Sequence, residues 1–531
     1  MAKWYRELRR DQPFLLPPDM REWLPADHLV WFLLETVNAL DTRAFHAGRR
    51  VGGVGAAGYD PDMLLALLIY AYCQGVRSSR QIERRCVTDI AFRVLCAQDG
   101  PDHATTARFR ADYQDVFAAL FTRVLLVAAT AGLVRFGTVA IDGTKIAANA
   151  SIDANRGQEW LERQVGQMVA EAGRLDAAED TAAAGGGADG DRLPGQLRDR
   201  SARAERIRQA AQEVTAQLQR REQAQRQRQE TALARRRRSE AGEPVAGRIP
   251  GGPHRLAEAR AHLAREITAH QAKLDRYATL IAAGKQPMGR PPVPMEHSSR
   301  VQRARRVVRA AIAAQNADAA PAASNAAYKH RKPALPSVVA NTTDPQSRIM
   351  PARRGFLQGC NAQLAVSSDQ IIVAAGVDQS TNDQACFVPI MAAAQHTAAC
   401  LHASTGSSNH VIGTVLTDAG YANDANLAAA GPDRLIALGK GRDQSRTAAH
   451  QPAHGPPPAH ATPRQAMSHR LRTERGRAIY KRRGATVEPA IGNLKKILDR
   501  FSRRGLTAAT SELHLAATAF NLLKIYRAAA A

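Results

Sequence analysis

An α/β sheet with flanking helices, preceded by an all-α region and split by a long helical insertion, is the fold class this 531-residue sequence predicts. Three observations predict it. Short apolar, β-branched segments occur near Val139 and again between Cys360 and Leu438, where helical patterns alternate with them from Asn382 onward. Residues 1–133 carry only helical periodicity. Residues 151–334 show apolar positions at 4-3-4-3 spacing on otherwise Arg-rich segments, the pattern of a coiled coil. The expected organisation is a helical N-terminal domain (1–133), a discontinuous α/β domain (134–150 and 335–531) and a helical, basic, partly flexible insertion (151–334).

The net charge of +24 and pI near 10.5 make a polyanion, and nucleic acid above all, the expected partner. With aromatics at 5%, aliphatic and alanine contacts have to carry the core. The six cysteines form no C-x-x-C pair, which fits a reducing cytoplasm and small buried thiols. The N-terminus MAKWYRELRRDQPFLLPP has no apolar core segment and reads as no signal peptide. The longest apolar run, 63–73, is too short to span a bilayer, so no membrane partner is expected.

In order along the chain, 28–39 reads as a helix capped by Asp27, and Asp60-Pro61 opens another that stops at Gly75. Ile82, Cys86, Ile90 and Val94 recur at helical spacing. In PDHATTARFRADY, Thr105 or Thr106 can cap a short helix that carries Arg108 and Arg110 as exposed cations. These short helices fit a helix-turn-helix or a plain helical bundle. In VRFGTVAIDGTKIAAN, Val139 and Ile141 are strand residues, and Asp142-Gly143 reads as the turn that ends the strand.

The insertion reads as helices through Leu161, Val165, Met168, Ala172 and Leu175, then Ile207 to Leu218, with a return helix from Leu256 to Ile281 and Gly-rich and Pro/Gly breaks at 185–190 and 244–253. That is a helical hairpin or short antiparallel coiled coil, followed by a basic helix (300–315) and an alanine-rich tail to Asn325. Its basic faces suit a DNA backbone or plain solvation.

Beyond it, 360–366 and 371–377 read as strands joined by a hairpin at SSDQ, 382–399 as a helix, 411–416 as a buried strand running out at Asp418, 424–430 as a helix and 434–438 as a strand. Residues 441–468 read as a polar loop whose His450, His454 and His460 match no tight metal motif. Residues 511–526 form an apolar-faced helix that covers the sheet.

Two aspartates at the ends of strands, Asp142 and Asp418, can meet if the strands are neighbours, because function in open α/β sheets gathers at strand ends. A helix reading YKRRGATVEPAIGNLK then supplies Glu488, with Lys495 two turns on and Arg483 and Tyr480 before it. Three carboxylates suit two Mg²⁺ or Mn²⁺ ions, which activate a water or 3′-hydroxyl and stabilise the leaving oxygen of a phosphodiester. Arg483 and Lys495 are candidate phosphate contacts, and Tyr480 can position or stack on DNA. Asp344 and Asp378 are further carboxylates for which structural roles are expected.

These residues resemble the insertion-sequence transposases of the DDE class, which have an RNase H-like catalytic core. IDGTKIAANAS resembles their first-aspartate segment, TDAGYAN their second, and Tyr480-x2-Arg483-x4-Glu488-x6-Lys495 their Tyr-Arg-Glu-Lys signature, with four residues rather than the familiar three between Arg and Glu. PDHATTARFR resembles part of their N-terminal helical domain, and residues 341–366 resemble their approach to the second strand. The resemblance covers most of 10–150 and 335–526, and the insertion is similar to that of one bacterial subgroup. It implies metal-dependent cutting of double-stranded DNA at terminal inverted repeats, transfer of the freed 3′-hydroxyl into target DNA, and a homodimer in the synaptic complex. A non-catalytic DNA-binding protein and a nuclease without strand transfer are the alternatives.

Overall fold

The computed structural model describes residues 19–47, 58–183, 195–241, 243, 255–284, 290–319, 338–352 and 355–529. The leader reading at 1–18, the side chains of Ala172 and Leu175, the breaks at 185–190 and 244–253 and the alanine-rich tail from 320 to 325 lie outside these residues. The chain forms two compact units, one of residues 1–211 with 339–531 and one of residues 212–338.

Among the described residues of the first unit, seven α-helices come before any strand: α1 (Leu29–Ala39), α2 (Arg43–His46), α3 (Pro61–Cys73), α4 (Ser79–Thr88), α5 (Ile90–Leu95), α6 (His103–Asp112) and α7 (Phe117–Thr130). α3 starts as its sequence requires, with Pro61 at the first position and Asp60 accepting from the Asp62 N–H at 3.0 Å, and it ends before Gly75 at φ +70°. Three local expectations are corrected by capping chemistry. His28, not Asp27, caps α1 through its ring nitrogen. Asp102, not a threonine, caps α6, accepting from the Thr105 N–H at 2.7 Å. The pattern from Ile82 to Val94 is two helices, because Asp89 ends α4 and caps α5, which leaves Ile90 exposed.

The sheet holds β1 (Thr138–Ala147), β4 (Arg348–Ala352), β5 (Gly355–Ser367), β6 (Ile372–Asp378), β7 (Thr414–Thr417) and β8 (Asp433–Ile436), while β2 (Asn155–Gly157) and β3 (Val339–Asn341) pair separately. Its spine runs β5-β1-β7-β8, with β4 and β6 both paired to β5. Pairings among β4, β5, β6 and β1 are antiparallel; β1–β7 and β7–β8 are parallel. The expected hairpin is present, with Gln370 at its turn in a left-handed conformation (φ +60°). The expectation that β1 ends at Asp142 is corrected. β1 continues to Ala147 because β5 stays in register with it from Val139↔Ser367 to Ala147↔Gly359.

After α12 (Phe387–Thr405) and α13 (Asp424–Ala428), the expected loop at 441–468 instead contains α14 (Gly441–His450) and the start of α15 (Pro463–Arg472). α15 is nucleated by a capping box between Thr462 and Gln465, a signal present in the sequence. α16 (Glu474–Ile497) and α17 (Leu506–Ala529) complete the unit. α17 packs on β6, α3 and α7, so the N-terminal helices and the sheet share one core. All six cysteines are free thiols.

Fully buried Asn521 of α17 serves both backbone polar groups of Ile372 on β6, accepting from its N–H at 3.0 Å and donating to its carbonyl at 2.8 Å. Asn521→Leu leaves both groups buried without partners. It is expected to destabilise the protein by about 2–5 kcal/mol in chemical denaturation, and a loss under 1 kcal/mol would show that this seal is dispensable.

α8 (Gln158–Ala183) starts beside β2, where the Arg156 guanidinium lies 5.3 Å from the Trp160 ring. α9 (Gly195–Glu240) crosses into the second unit, which also holds α10 (Arg255–Ala282) and α11 (Ser299–Ala319). α10 packs chiefly on α11, and it meets the end of α9 through an ion pair between Arg235 and buried Glu258. No single helix among the described residues is long and apolar enough to cross a membrane.

Candidate active site

β1 and β7 set the two aspartates side by side. The parallel register pairs Ala140 with Leu416, so Asp142 and Asp418 both lie two residues past the same rung. Pairing with β7 stops at Ala140, which frees the Asp142 side of β1, and β7 itself ends at Thr417. Asp142 Oδ1 accepts from the Gly143 N–H at 2.8 Å, and Asp418 Oδ1 accepts from the Gly420 N–H at 2.9 Å.

α16 lies against β1, β5 and β7 and carries the remaining candidates. Thr473 caps it, accepting from the Gly476 N–H at 3.0 Å. Pro489, just after Glu488, cannot donate to the Ala485 carbonyl. The side chain of Gln370, on the β5–β6 turn, donates to that carbonyl instead at 3.0 Å and ties the Glu488 segment to the sheet. Tyr480 donates to the Thr417 carbonyl at 3.2 Å, which docks α16 beside the end of β7.

Arg483 stands among the acids. Its Nη1 is 2.9 Å from Asp142 Oδ2 and its Nη2 is 3.6 Å from Glu488 Oε1. It reaches them from the flank of the helix, because the position one turn before Glu488 is Gly484, where a Cβ would lie 3.1 Å from Glu488 Oε1. Asp142 and Arg483 are largely buried, whereas the Glu488 side chain is 68% exposed. Burial raises the Asp142 carboxyl above the usual carboxylate range; Arg483 opposes the rise and the charge of Asp418 adds to it. Burial works against the Arg483 cation, but Asp142 and its other neighbours more than compensate and its pKa is raised. The three acids do not bring oxygens within 4.8 Å of one another among the described residues, since Glu488 lies across Arg483 from Asp142. Beside them opens a cleft of about 870 Å³, lined by Asp418, Lys440, Arg477, Tyr480, Lys481 and Arg483.

Residues 18–112 match a family described as Transposase domain (DUF772), and residues 447–526 match Transposase DDE domain. The chain carries the domains of an insertion-sequence DDE transposase. No curated protein and no solved structure matches it. The matched DDE segment of this transposase contains Tyr480, Arg483, Glu488 and Lys495, while Asp142 and Asp418 lie outside both matches.

Of the other candidates, Lys495 and Arg108 are exposed. Arg110 is not the exposed cation its sequence suggested. It is 7% exposed and donates to the Arg77 carbonyl at 2.8 Å and Ser79 Oγ at 2.6 Å, linking α6 to the start of α4. Asp344 is buried and caps its own turn, accepting from the Gln346 and Gly505 N–H groups at 3.3 Å each. Asp378 accepts from the Ser380 N–H at 2.5 Å.

The transposase also holds a polar network that sequence reasoning missed. Asp383 Oδ1 accepts from Lys145 Nζ at 3.2 Å and from the side-chain amides of Asn361 and Gln363 at 2.8 Å each. Gln363 Oε1 accepts from the fully buried Tyr421 hydroxyl, whose pKa burial pushes up. Asn361 and Gln363 face Lys145 and Gly143 across the β5–β1 register, so the network braces β1 next to Asp142. It also explains Gly143, which sits within a strand and not at a turn. A Cβ there would collide with the Gln363 amide and the Asp383 carboxylate. Two amides spaced i, i+2 in an apolar strand were the available signal.

Proposed function

We propose that this transposase cuts double-stranded DNA at the terminal inverted repeats of its element and joins the freed 3′-hydroxyls to target DNA. The observation that carries this reading is the in-register placement of Asp142 and Asp418 on adjacent parallel strands, with Arg483 linking Asp142 to Glu488. The strand order, antiparallel from β6 through β5 to β1 and then parallel through β7 to β8, supports an RNase H-like core.

The donor atoms are of the type a divalent cation takes, although the three acids do not bring them within 4.8 Å of one another. The set is all carboxylate oxygen, and the Arg483 guanidinium already holds positive charge between Asp142 and Glu488. Asp142, Asp418 and Glu488 are the residues to hold two Mg²⁺ or Mn²⁺, which when bound supply an activated nucleophile and charge stabilisation for in-line displacement. Arg483 orients Asp142, and Tyr480 fixes the helix that brings Glu488 in. The cations of the cleft suit a phosphodiester backbone, with Lys495 as a further DNA contact and exposed Arg108 as one on the N-terminal helices. Processing two ends together calls for a homodimer, and a cytoplasmic site of action agrees with cysteines that form no C-x-x-C pair.

The test is incubation of the protein and Mg²⁺ with duplex DNA carrying the ends that flank its gene and a supercoiled target. Nicked ends and joined products are expected. Binding without nicking would leave a DNA-binding protein, and nicking without joining a nuclease.

A further inference from the structure

Away from the acids, a groove of about 600 Å³ opens between the start of α4 and residues 500–503, lined by Arg77, Arg80, His103, Arg110, Arg500 and Arg503. We infer that this groove holds the phosphodiester backbone of duplex DNA about five base pairs from the catalytic acids, an inference that rests on the DNA-transposase reading above.

Four features point to a polyanion. First, ten-residue α4 presents an open N-terminus to the groove. Its N-cap Ser78 makes no side-chain capping bond, and Ser78, Ser79, Arg80 and Gln81 all line the cavity. Uncapped first-turn N–H groups with the helix dipole behind them favour phosphate. Second, Arg110 lines the groove while more than nine-tenths buried, and its Nε has no hydrogen-bond partner. Third, half-buried Arg503 donates to the Arg110 carbonyl at 3.1 Å and to Gln114 at 2.9 Å, and burial together with the charge of Arg110 lowers its pKa. At Arg503, burial and the neighbouring Arg110 charge thus outweigh the opposing charge of Glu512, a cost that an incoming anion relieves. Fourth, acids answer few of these cations. Asp499 pairs with Arg77 and Glu83 with His103, whereas the exposed Arg80 and Arg500 side chains make no such bond among the described residues.

The position of the groove fits one continuous DNA path. β1 runs from Asp142 to Ala147, which bridges to Arg500 and whose carbonyl accepts from the Phe501 N–H at 2.8 Å. Five residues of strand span about 17 Å. Phosphates along one strand of a duplex advance about 3.4 Å each along the axis, so 17 Å is about five base pairs. α16 leads the same way, from Glu488 past exposed Lys495 to its end at Ile497, just before the groove loop. The two walls of the groove also come from the two transposase-matched segments, 18–112 and 447–526. DNA held there would span both.

The experiment measures binding of the full-length protein to a 5′-labelled end duplex over a series of salt concentrations, for wild type and for Arg80→Glu/Arg500→Glu. With one phosphate lost per arginine, the variant's plot of log K against log[salt] should be shallower by about two. A milder Arg80→Gln/Arg500→Gln pair, matched to wild type by circular dichroism, should show the same change. Ethylating phosphates about five base pairs from the cut should weaken wild-type binding. Unchanged slope and affinity in both variants, with wild type still binding and nicking, would overturn the groove alone. A wild type that neither binds nor nicks would overturn the DNA-transposase reading with it.

Discussion

Asp142→Asn is expected to lower DNA cleavage by at least about 10²–10³-fold, the scale seen when one preorganised charge-stabilising group is lost, while leaving the protein more stable than wild type at neutral pH. The two halves share one cause. Burial holds the Asp142 carboxyl above the ordinary aspartate value, Arg483 offsets only part of that and Asp418 adds to it. With the folded-state pKa above the unfolded one, the native state binds the proton more tightly, so stability falls as pH rises from the ordinary aspartate value through the raised one. Above that window the full penalty applies, and asparagine removes it. Thermal melts from acid to neutral pH should show the variant's advantage growing with pH. Mg²⁺ or Mn²⁺ should reverse the ranking. A ligand that binds only the native state stabilises it by about 2.7 kcal/mol at a hundred times its Kd, and only wild type keeps the full carboxylate set. Undiminished cleavage by the variant, or an equal divalent-ion shift in both proteins, would remove Asp142 from the metal site.

The neighbouring placement of Asp142 and Asp418 was legible because an apolar run in the sequence gives way at each. Leu416 and Thr417 are buried and Asp418 is not, and Glu488 follows the basic run of a helix whose face is otherwise apolar. The extent of β1 was not legible. Asp-Gly is a turn signal, and it was overridden by a thirteen-residue partner strand and by the close approach of Gln363 and Asp383, which only glycine admits. Asp383 was hidden for a related reason. It precedes a helix and looks like a cap, yet it makes no capping bond, and its partners lie on strands that sequence cannot align. Arg108 and Arg110 looked equivalent, but burial separates them, since helical phase alone turns Arg110 inward with Phe109. The capping box at Thr462 was readable in the sequence, but the prolines around it suggested a loop.

Arg483 can be assigned by experiment to one of two jobs, because its guanidinium pairs with Asp142 and also faces the cleft. If its main task is to keep Asp142 ionised and aimed, Arg483→Ala removes the charge that chiefly counters burial and Asp418. The Asp142 carboxyl then rises further. Cleavage should fall by roughly 10²-fold, the scale of one lost charge-stabilising contact, and the acidic limb of the pH–rate profile should move to higher pH, since the carboxylate acts only when ionised. Arg483→Lys restores a point charge without the planar fork and should recover part of the rate. Stability should respond through the pair as well. Arg483→Ala destabilises a protein with Asp142 ionised, but it should cost much less in the Asp142→Asn background, a non-additivity that a double-mutant cycle reads directly. If Arg483 instead holds a DNA phosphate as its chief role, the acidic limb stays in place, the cycle is additive, and the loss appears as weaker DNA binding with a shallower salt slope. The 2.9 Å contact to a largely buried Asp142 favours the first outcome, and it gives the extra residue between Arg483 and Glu488 a physical meaning. From five residues before Glu488, the guanidinium reaches the aspartate of β1 at 2.9 Å while its other nitrogen stays 3.6 Å from Glu488.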